Sequence, residues 1–311
     1  MRNVHTANLV AIAMVVVGMT SHVVYSALLR RLSGAHSGYA VLWLSSMVLL
    51  LLIAPWALRE RGRHLRSARP QLHAARALLS ALSALCILYA LPRLSLAEVT
   101  LYQLTTPIWL VPLALVFLGE SVQPYRWVGM LLGFAGVVIV SGPAGMQGFN
   151  LAVAAALASA LCDALLGVLL KKASRHESPL ALLWWTYVGK TLVFALLAGA
   201  ELPPMHWADA GWLILSALAA LTTMVCFIQA YRLADATVAE AGTFSAVVIG
   251  PLLGWLMFGE TTGTHFWLGA GILTLGLSLT MFERPARPAR TPLAPPARPA
   301  LTCLKGDSTC Q

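Results

Sequence analysis

Residues 162–172 read Cys162-Asp-Ala-Leu-Leu-Gly-Val-Leu-Leu-Lys-Lys172, and residues 21–31 read Ser21-His-Val-Val-Tyr-Ser-Ala-Leu-Leu-Arg-Arg31. Each has a polar pair, seven mostly apolar residues and two cations, and the two stretches are 141 residues apart. At the same offset Ser37-Gly-Tyr-Ala-Val-Leu-Trp43 lies over Ser178-Pro-Leu-Ala-Leu-Leu-Trp184. At an offset of 140, Leu118-Gly-Glu120 lies over Phe258-Gly-Glu260, Gly129 over Gly269 and Gly136 over Gly276. The chain therefore divides into two copies of one unit, residues 1–142 and 143–282. The Pro-, Arg- and Ala-rich segment 283–311 cannot bury a core and reads as a disordered, cytoplasmic tail.

The copies are built for lipid. Of the 311 residues 59% are hydrophobic and 11% charged, with a mean hydropathy of +0.77, whereas soluble domains carry about 25% charge. Apolar runs of spanning length, about 20 residues each, recur to residue 282, which a removable leader does not explain. Ten are expected: 8–29, 38–57, 73–91, 96–118, 124–141, 150–170, 179–199, 209–230, 237–258 and 265–282. With the N-terminus inside, 16 of the 21 Lys and Arg fall in cytoplasmic segments; Arg30, Arg31 and Arg93 fall outside, and Arg76 and Lys190 in or beside spans. Both termini are expected in the cytoplasm. Five spans per half make the second copy enter from the opposite side, so the expected fold is all-α, ten transmembrane helices in two inverted five-helix repeats.

The net charge of +9 belongs to short loops and the tail, with no aromatic-lined basic groove, so nucleic acid is not an expected partner. The five cysteines show no metal-ligand spacing. No metal and no cofactor is expected.

Leu118-Gly-Glu120 and Gly254-Trp-Leu-Met-Phe-Gly-Glu260 end the fourth and ninth spans, and each precedes a glycine-bearing span, Val128–Gly136 and Leu268–Gly276. Over residues 8–282 this pattern resembles the EamA family of the drug/metabolite transporter superfamily. The resemblance implies ten helices, two inverted repeats and carriage of amino acids, vitamins, nucleosides or related metabolites. Tyr231-Arg-Leu-Ala-Asp235 with Gly254-Trp255 is similar to the branch containing S-adenosylmethionine carriers. The arginine many relatives carry in the second span is absent, where Leu42-Trp-Leu-Ser45 stands, and Pro107 has no proline mate in span nine.

Charges in mid-bilayer are costly and usually face a cavity or one another. The candidates are His22, Glu98, Asp163, Lys190 and Glu240. Asp163 lies eight residues before Lys171, about 12 Å from that end at the helical rise. His22 lies equally far before Arg30. An outer pair, His22 with Glu98, and an inner pair, Asp163 with Glu240, would mark the two ends of one pathway. Ser95-x-x-Glu98 and Thr237-x-x-Glu240 also read as capping boxes. Lys190, near the midplane, pairs with Asp163 or Glu240 or meets an anionic group of the solute. Trp43 and its mate Trp184, with Trp185, Tyr102, Gln103, Trp109, Gln229 and Tyr231, form a pocket for a flat solute or, ring by ring, face lipid. Glu120 and Glu260 read as structural, fixing tight turns with Arg126 or His265 as partners, next to Gly119 and Gly259. Gly129, Gly133, Gly136, Gly269 and Gly276 read as close helix packing or a dimer seam.

No His-Glu-x-x-His motif and no acid pair for metal-bound phosphate occurs, so catalysis is not expected. The expected function is secondary transport of a small metabolite, an amino acid or nucleoside-like compound, across the inner or plasma membrane by alternating access. Export or facilitated exchange is favoured, with protons as a candidate coupling ion and a homodimer as a candidate assembly. Uptake of a vitamin or S-adenosylmethionine is the alternative, and a lipid flippase or assembly partner is the alternative of another class.

Overall fold

A computed structural model of the chain describes residues 2–57, 69–118, 124–146, 150–173, 177–199, 207–233 and 241–281, and these are helical with no strand among them. The expected tail, 283–311, and the expected site residues Gly119, Glu120 and Glu240 lie outside the described residues.

The helices are α1 (Arg2–Ala35), α2 (Gly38–Ala57), α3 (Pro70–Ala90), α4 (Leu96–Gln103), α5 (Thr106–Leu118), α6 (Pro124–Met146), α7 (Leu151–Ala173), α8 (Pro179–Ala198), α9 (Trp207–Leu233), α10 (Ala246–Phe258) and α11 (Thr264–Met281). Local chemistry sets their ends. Pro70 stands in the first turn of α3, where a missing N–H costs nothing. Ser178 caps α8 by accepting the Ala181 N–H at 3.1 Å, with Pro179 following. Gly259 ends α10 at φ 66°, a left-handed conformation that a side chain resists. Six of these helices are long and apolar enough to span a membrane; shorter apolar segments supply the rest. Hydroxyls inside them bond back one turn, as Thr100 does to Leu96 O at 2.7 Å and Thr186 to Leu182 O at 2.7 Å, which keeps these donors from hydrocarbon. Large side chains such as Leu51, Val116 and Leu196 point outward, as lipid requires.

The fourth and ninth spans depart from expectation, because neither is one continuous α-helix. The fourth breaks at Leu104–Thr105 between α4 and α5. The ninth has a 3₁₀ turn, Ala241–Ser245, before α10. The breaks are repeat mates: α5 and α10 have 13 residues each and start at Thr106 and Ala246, 140 positions apart. The same bond mends both breaks. Thr105 Oγ1 donates to Tyr102 O at 2.7 Å and Ser245 Oγ to Gly242 O at 2.7 Å, again 140 apart. Pro107 falls in the first turn of α5, which explains a proline there without a mate. Counting each broken span once gives ten helical rods among the described residues.

Packing interleaves the two copies. α1 lies along α9 and α3 along α7, while α2 meets α8, α4 meets α10 and α6 meets α11. The first two interfaces are bridged at repeat-related positions, though through different atoms. Ser83 Oγ on α3 meets Ser159 Oγ on α7 at 3.0 Å, and Thr223 Oγ1 on α9 donates to Gly18 O on α1 at 3.2 Å. Thr223 follows Ser83 by 140 residues and Ser159 follows Gly18 by 141. Neither copy closes its own core; each supplies the wall the other lacks.

The glycines make the α6–α11 seam. A Cβ on Gly276 would stand 2.5 Å from both Gly129 O and Gly133 N, one on Gly136 2.6 Å from Leu273 N, and one on Gly269 2.7 Å from Gly136 O. Of the two readings of these residues, packing within one chain uses them, and a dimer seam is left without its glycines. Gly271 on the same helix has nothing within 4 Å of such a Cβ. Gly276→Ala is therefore expected to lower the melting temperature of detergent-purified protein by several degrees, about 1–3 kcal/mol of overpacking, whereas Gly271→Ala leaves it unchanged or slightly raised. Equal melting of the two variants, followed by fluorescence-detected size exclusion after heating, would disprove the seam.

Candidate functional site

Three helices converge on Asp163. Ser159 and Asp163 share one face of α7 at i, i+4. Ser83 on α3 donates to Asp163 Oδ1 at 2.8 Å, so its 3.0 Å contact with Ser159 must be one in which Ser159 donates. Lys190 on α8 is 8% exposed and lies within electrostatic reach of Asp163 without an ion pair among the described residues. Its ammonium stands 5.1 Å from the Tyr187 ring centroid and 5.9 Å from that of Phe194. Cation–π contacts of this kind contribute about 2 kcal/mol when desolvated. Tyr187, Lys190 and Phe194, at i, i+3 and i+7, form one stripe of α8. Tyr25 of α1 is within electrostatic reach of Tyr187. The result is an acid and a base held apart, each by its own neighbours, with hydroxyls and aromatic faces around them.

His22 is not paired with Glu98. Its Nε2 lies 3.3 Å from Gln103 Oε1, one turn deeper in the same rod. Glu98 is occupied as a cap: its carboxylate accepts from Ser95 N–H and Ser95 Oγ, both at 2.9 Å, and Ser95 Oγ accepts the Glu98 N–H at 3.2 Å. Trp43 and Trp184 are half-buried against two different apolar clusters. Tyr102 is fully buried in the core, and Trp185 and Gln229 are exposed. The structure thus joins Asp163 with Lys190 and His22 with Gln103, and leaves Tyr102 and Gln229 outside both groups.

Glu260 has partners other than Arg126 or His265. It is ion-paired with Arg30 at the end of α1 and accepts the free Leu96 N–H at the start of α4 at 2.8 Å. The Arg30 guanidinium also stacks 4.6 Å from the Phe258 ring centroid. Gly259 turns the chain out of α10 so that the next carboxylate folds back across it, and Gly254 leaves room for that carboxylate, whose Oε2 a Cβ there would meet at 2.7 Å. The Gly-Glu ending is a clamp on three helices. Arg31 lies 5.0 Å from the Trp212 ring centroid and Arg93 3.8 Å from that of Tyr89. All three cations expected outside are therefore engaged by protein groups.

Sequence reasoning missed Ser83, Ser159, Tyr187 and a further group at the start of α3. There His73 Nε2 stands 3.7 Å from Glu177 and its ring 6.3 Å from Trp185, beside buried Arg76. The signal was present as spacing: His73, Arg76 and Ser83 fall on one stripe of α3, and Ser159 with Asp163 on one of α7, in spans otherwise apolar. A separate cleft of about 290 Å³, lined by Ser33, Tyr39, Tyr89 and Arg93 among others, opens at the far end of α3 and is not part of this group.

Known proteins fit this arrangement. The profile described as the EamA-like transporter family matches residues 9–142 and again 150–282. A riboflavin transporter of Brucella anthropi is 28% identical over 251 residues, 79% of this chain and 88% of that protein. An S-adenosylmethionine uptake transporter of Rickettsia bellii is 26% identical over 245 residues, 78% and 82% of the two chains. A solved crystal structure with 21% identity superposes with a TM-score of 0.60, covering 86% of this chain and 96% of that one.

The clamp makes a measurable pair. Arg30→Ala and Glu260→Ala are expected to destabilise non-additively, with a coupling of about 0.5–3 kcal/mol in a double-mutant cycle on thermal unfolding. Glu260→Gln, which still accepts from Leu96, should lose less than Glu260→Ala. Additive losses would show that the two side chains merely lie close.

Proposed function

We infer the solute from a fixed premise: this chain belongs to the EamA-like transporter family and is a multi-pass membrane transporter of small metabolites. The solute proposed is a flat heteroaromatic metabolite with a hydroxylated or charged chain, riboflavin-like first and S-adenosylmethionine-like second. The observation that carries this reading is Asp163, held by Ser83 and facing buried Lys190 between aromatic rings. A carboxylate and an ammonium kept apart leave hydrogen-bonding capacity that a heterocycle with donors on one edge and acceptors on the other can use. The name of the Rickettsia bellii relative supports uptake, the alternative direction, over the export that the sequence favours.

The proposed architecture is two inverted repeats, residues 1–142 and 143–282, with both termini in the cytoplasm of an inner or plasma membrane. The broken fourth and ninth spans support it, since discontinuous helices at the repeat interface accompany midplane binding in such carriers. So does the engagement of Arg30, Arg31 and Arg93, which blunts their weight as topological signals. Protons are the proposed coupling ion, with Asp163 as their carrier. Transport, not catalysis, is the proposed activity.

Proteoliposomes loaded with unlabelled riboflavin are expected to accumulate external labelled riboflavin transiently by counterflow. Asp163→Asn should cut the initial rate at least about tenfold, ~1.4 kcal/mol on the transport barrier, with insertion and melting retained. Counterflow of S-adenosylmethionine with none of riboflavin would move the chain to the second solute. Wild-type rates from folded Asp163→Asn would remove the carboxylate from the mechanism.

A further inference from the structure

Arg76 is 6% exposed, and its Nε and Nη1 atoms are buried without a hydrogen-bond partner. No carboxylate among the described residues lies within ion-pair distance of it; Glu177 stands 3.7 Å from His73, one turn before Arg76. A guanidinium is the most insistent donor group a protein has, with five N–H bonds and no deprotonated state to retreat to. With Nε and Nη1 buried and unanswered, it is costly to keep unless something intermittently answers them.

The repeat supplies an internal control for whether the scaffold needs this charge. The mate of Arg76 is Ser216 or Ala217, at offsets of 140 and 141, and the mate of Lys190 is Leu49. Leu49 and Ala217 sit in one buried apolar cluster with Ile53, Leu183 and Tyr187. The equivalent packing is thus achieved on the other side with no cation at all. The same comparison places Arg76 and Lys190 at one level, because their mates share a cluster. The structure agrees directly: the residues beside them, Ala77 and Gly189, are in such close contact that a Cβ on Gly189 would strike the Ala77 methyl. Arg76 also shares the stripe of α3 that carries Ser83, two turns or roughly 10 Å further along, so it continues the polar face that holds Asp163. Two buried cations and two carboxylates, Asp163 and Glu177, line this face, and neither carboxylate is ion-paired with Arg76 or Lys190 among the described residues.

We propose that the Arg76 guanidinium is an oxyanion subsite of the transport pathway, taking a phosphate or carboxylate carried by the solute. The subsite rests on the reading of this chain as a carrier of a heteroaromatic metabolite, and it adds to the ring-binding region an acidic substituent at a fixed reach. The planar fork matches a phosphate or carboxylate edge with two parallel hydrogen bonds. An oxyanion on the solute therefore supplies, at the moment of passage, the acceptors that Nε and Nη1 lack, and a neutral analogue does so only in part.

The test uses the full-length protein purified in lipid-free maltoside micelles and reads thermal stabilisation by riboflavin, riboflavin 5′-phosphate and inorganic pyrophosphate. Wild type is expected to half-saturate with riboflavin 5′-phosphate at about tenfold lower concentration than with riboflavin, the worth of one charge-assisted contact. Arg76→Gln should abolish that preference and the stabilisation by pyrophosphate. Equal half-saturation by the two flavins in wild type, or pyrophosphate stabilisation that survives in Arg76→Gln, overturns the subsite. The pyrophosphate arm does not depend on the flavin: pyrophosphate stabilisation lost in Arg76→Gln, with no response to either flavin, sustains the subsite while ending the flavin reading. If added phosphatidylglycerol stabilises wild type but not Arg76→Gln and cancels the pyrophosphate effect, the oxyanion is a lipid headgroup and the solute subsite falls. Should Arg76→Gln fail to give a monodisperse protein, Arg76→Lys keeps the charge and loses the fork; an unchanged half-saturation for riboflavin 5′-phosphate in that variant also overturns the proposal.

Discussion

Hydrocarbon offers no hydrogen bonds, and every polar group in this chain is disposed under that constraint. Backbone amides are answered inside helices. Many hydroxyls bond back one turn, and where a helix must break, a hydroxyl at the break, Thr105 or Ser245, adds a bond to a carbonyl of the preceding turn, Tyr102 O or Gly242 O. Helix ends near the surface are answered by carboxylates, Glu98 within its own helix and Glu260 from the far end of the chain. Against that background Arg76 stands apart from Trp109 and Thr191, whose single donors are also unanswered, because it leaves two nitrogens of a charged group without a partner.

The same constraint explains why the two copies are interleaved instead of set side by side. Lipid competes on equal terms for apolar side chains, so helices hold together through close backbone approach and interhelical hydrogen bonds. Glycine supplies the first at α6 and α11, where Gly129 and Gly133 receive Gly276. Small hydroxyl residues supply the second, in the mated contacts Ser83–Ser159 and Thr223–Gly18. Because α3 of one copy needs α7 of the other and α1 needs α9, a movement of either copy as a rigid body shears both interfaces at once. These contacts are few, short and weak, on the order of 0.6 kcal/mol each, which suits surfaces that must slide.

Much of this was legible in the chain. The offset of about 140 residues found the copies, the spans and the two positions His22 and Asp163. It could not find the breaks, since Leu104 and Thr105 sit inside an apolar run whose average hydropathy gives no sign of a discontinuity; only Pro107 hinted at a helix start. Partners distant in sequence were also out of reach. Proximity to the Gly-Glu turn points Glu260 to Arg126 or His265, while its partner is Arg30, 230 residues away. His22 was matched with Glu98 on pattern, but a capping glutamate is already spent, and Gln103 one turn deeper takes its place.

The departures from the repeat say where the chemistry lies. A duplicated scaffold keeps what packing demands, so glycines, breaks and hydroxyl contacts recur at 140 or 141. Asp163, Lys190 and Arg76 do not recur as charges: their mates are His22, Leu49 and Ser216 or Ala217. Had these charges served the scaffold, the mirrored interface would need them too, and it is well packed without them, Leu49 and Ala217 each being 1% exposed. A charge retained in one copy at a cost the other avoids is retained for something that is itself asymmetric. In a carrier whose two halves are near equivalents, the asymmetric component is the solute, whose differing ends a symmetric cavity could not tell apart.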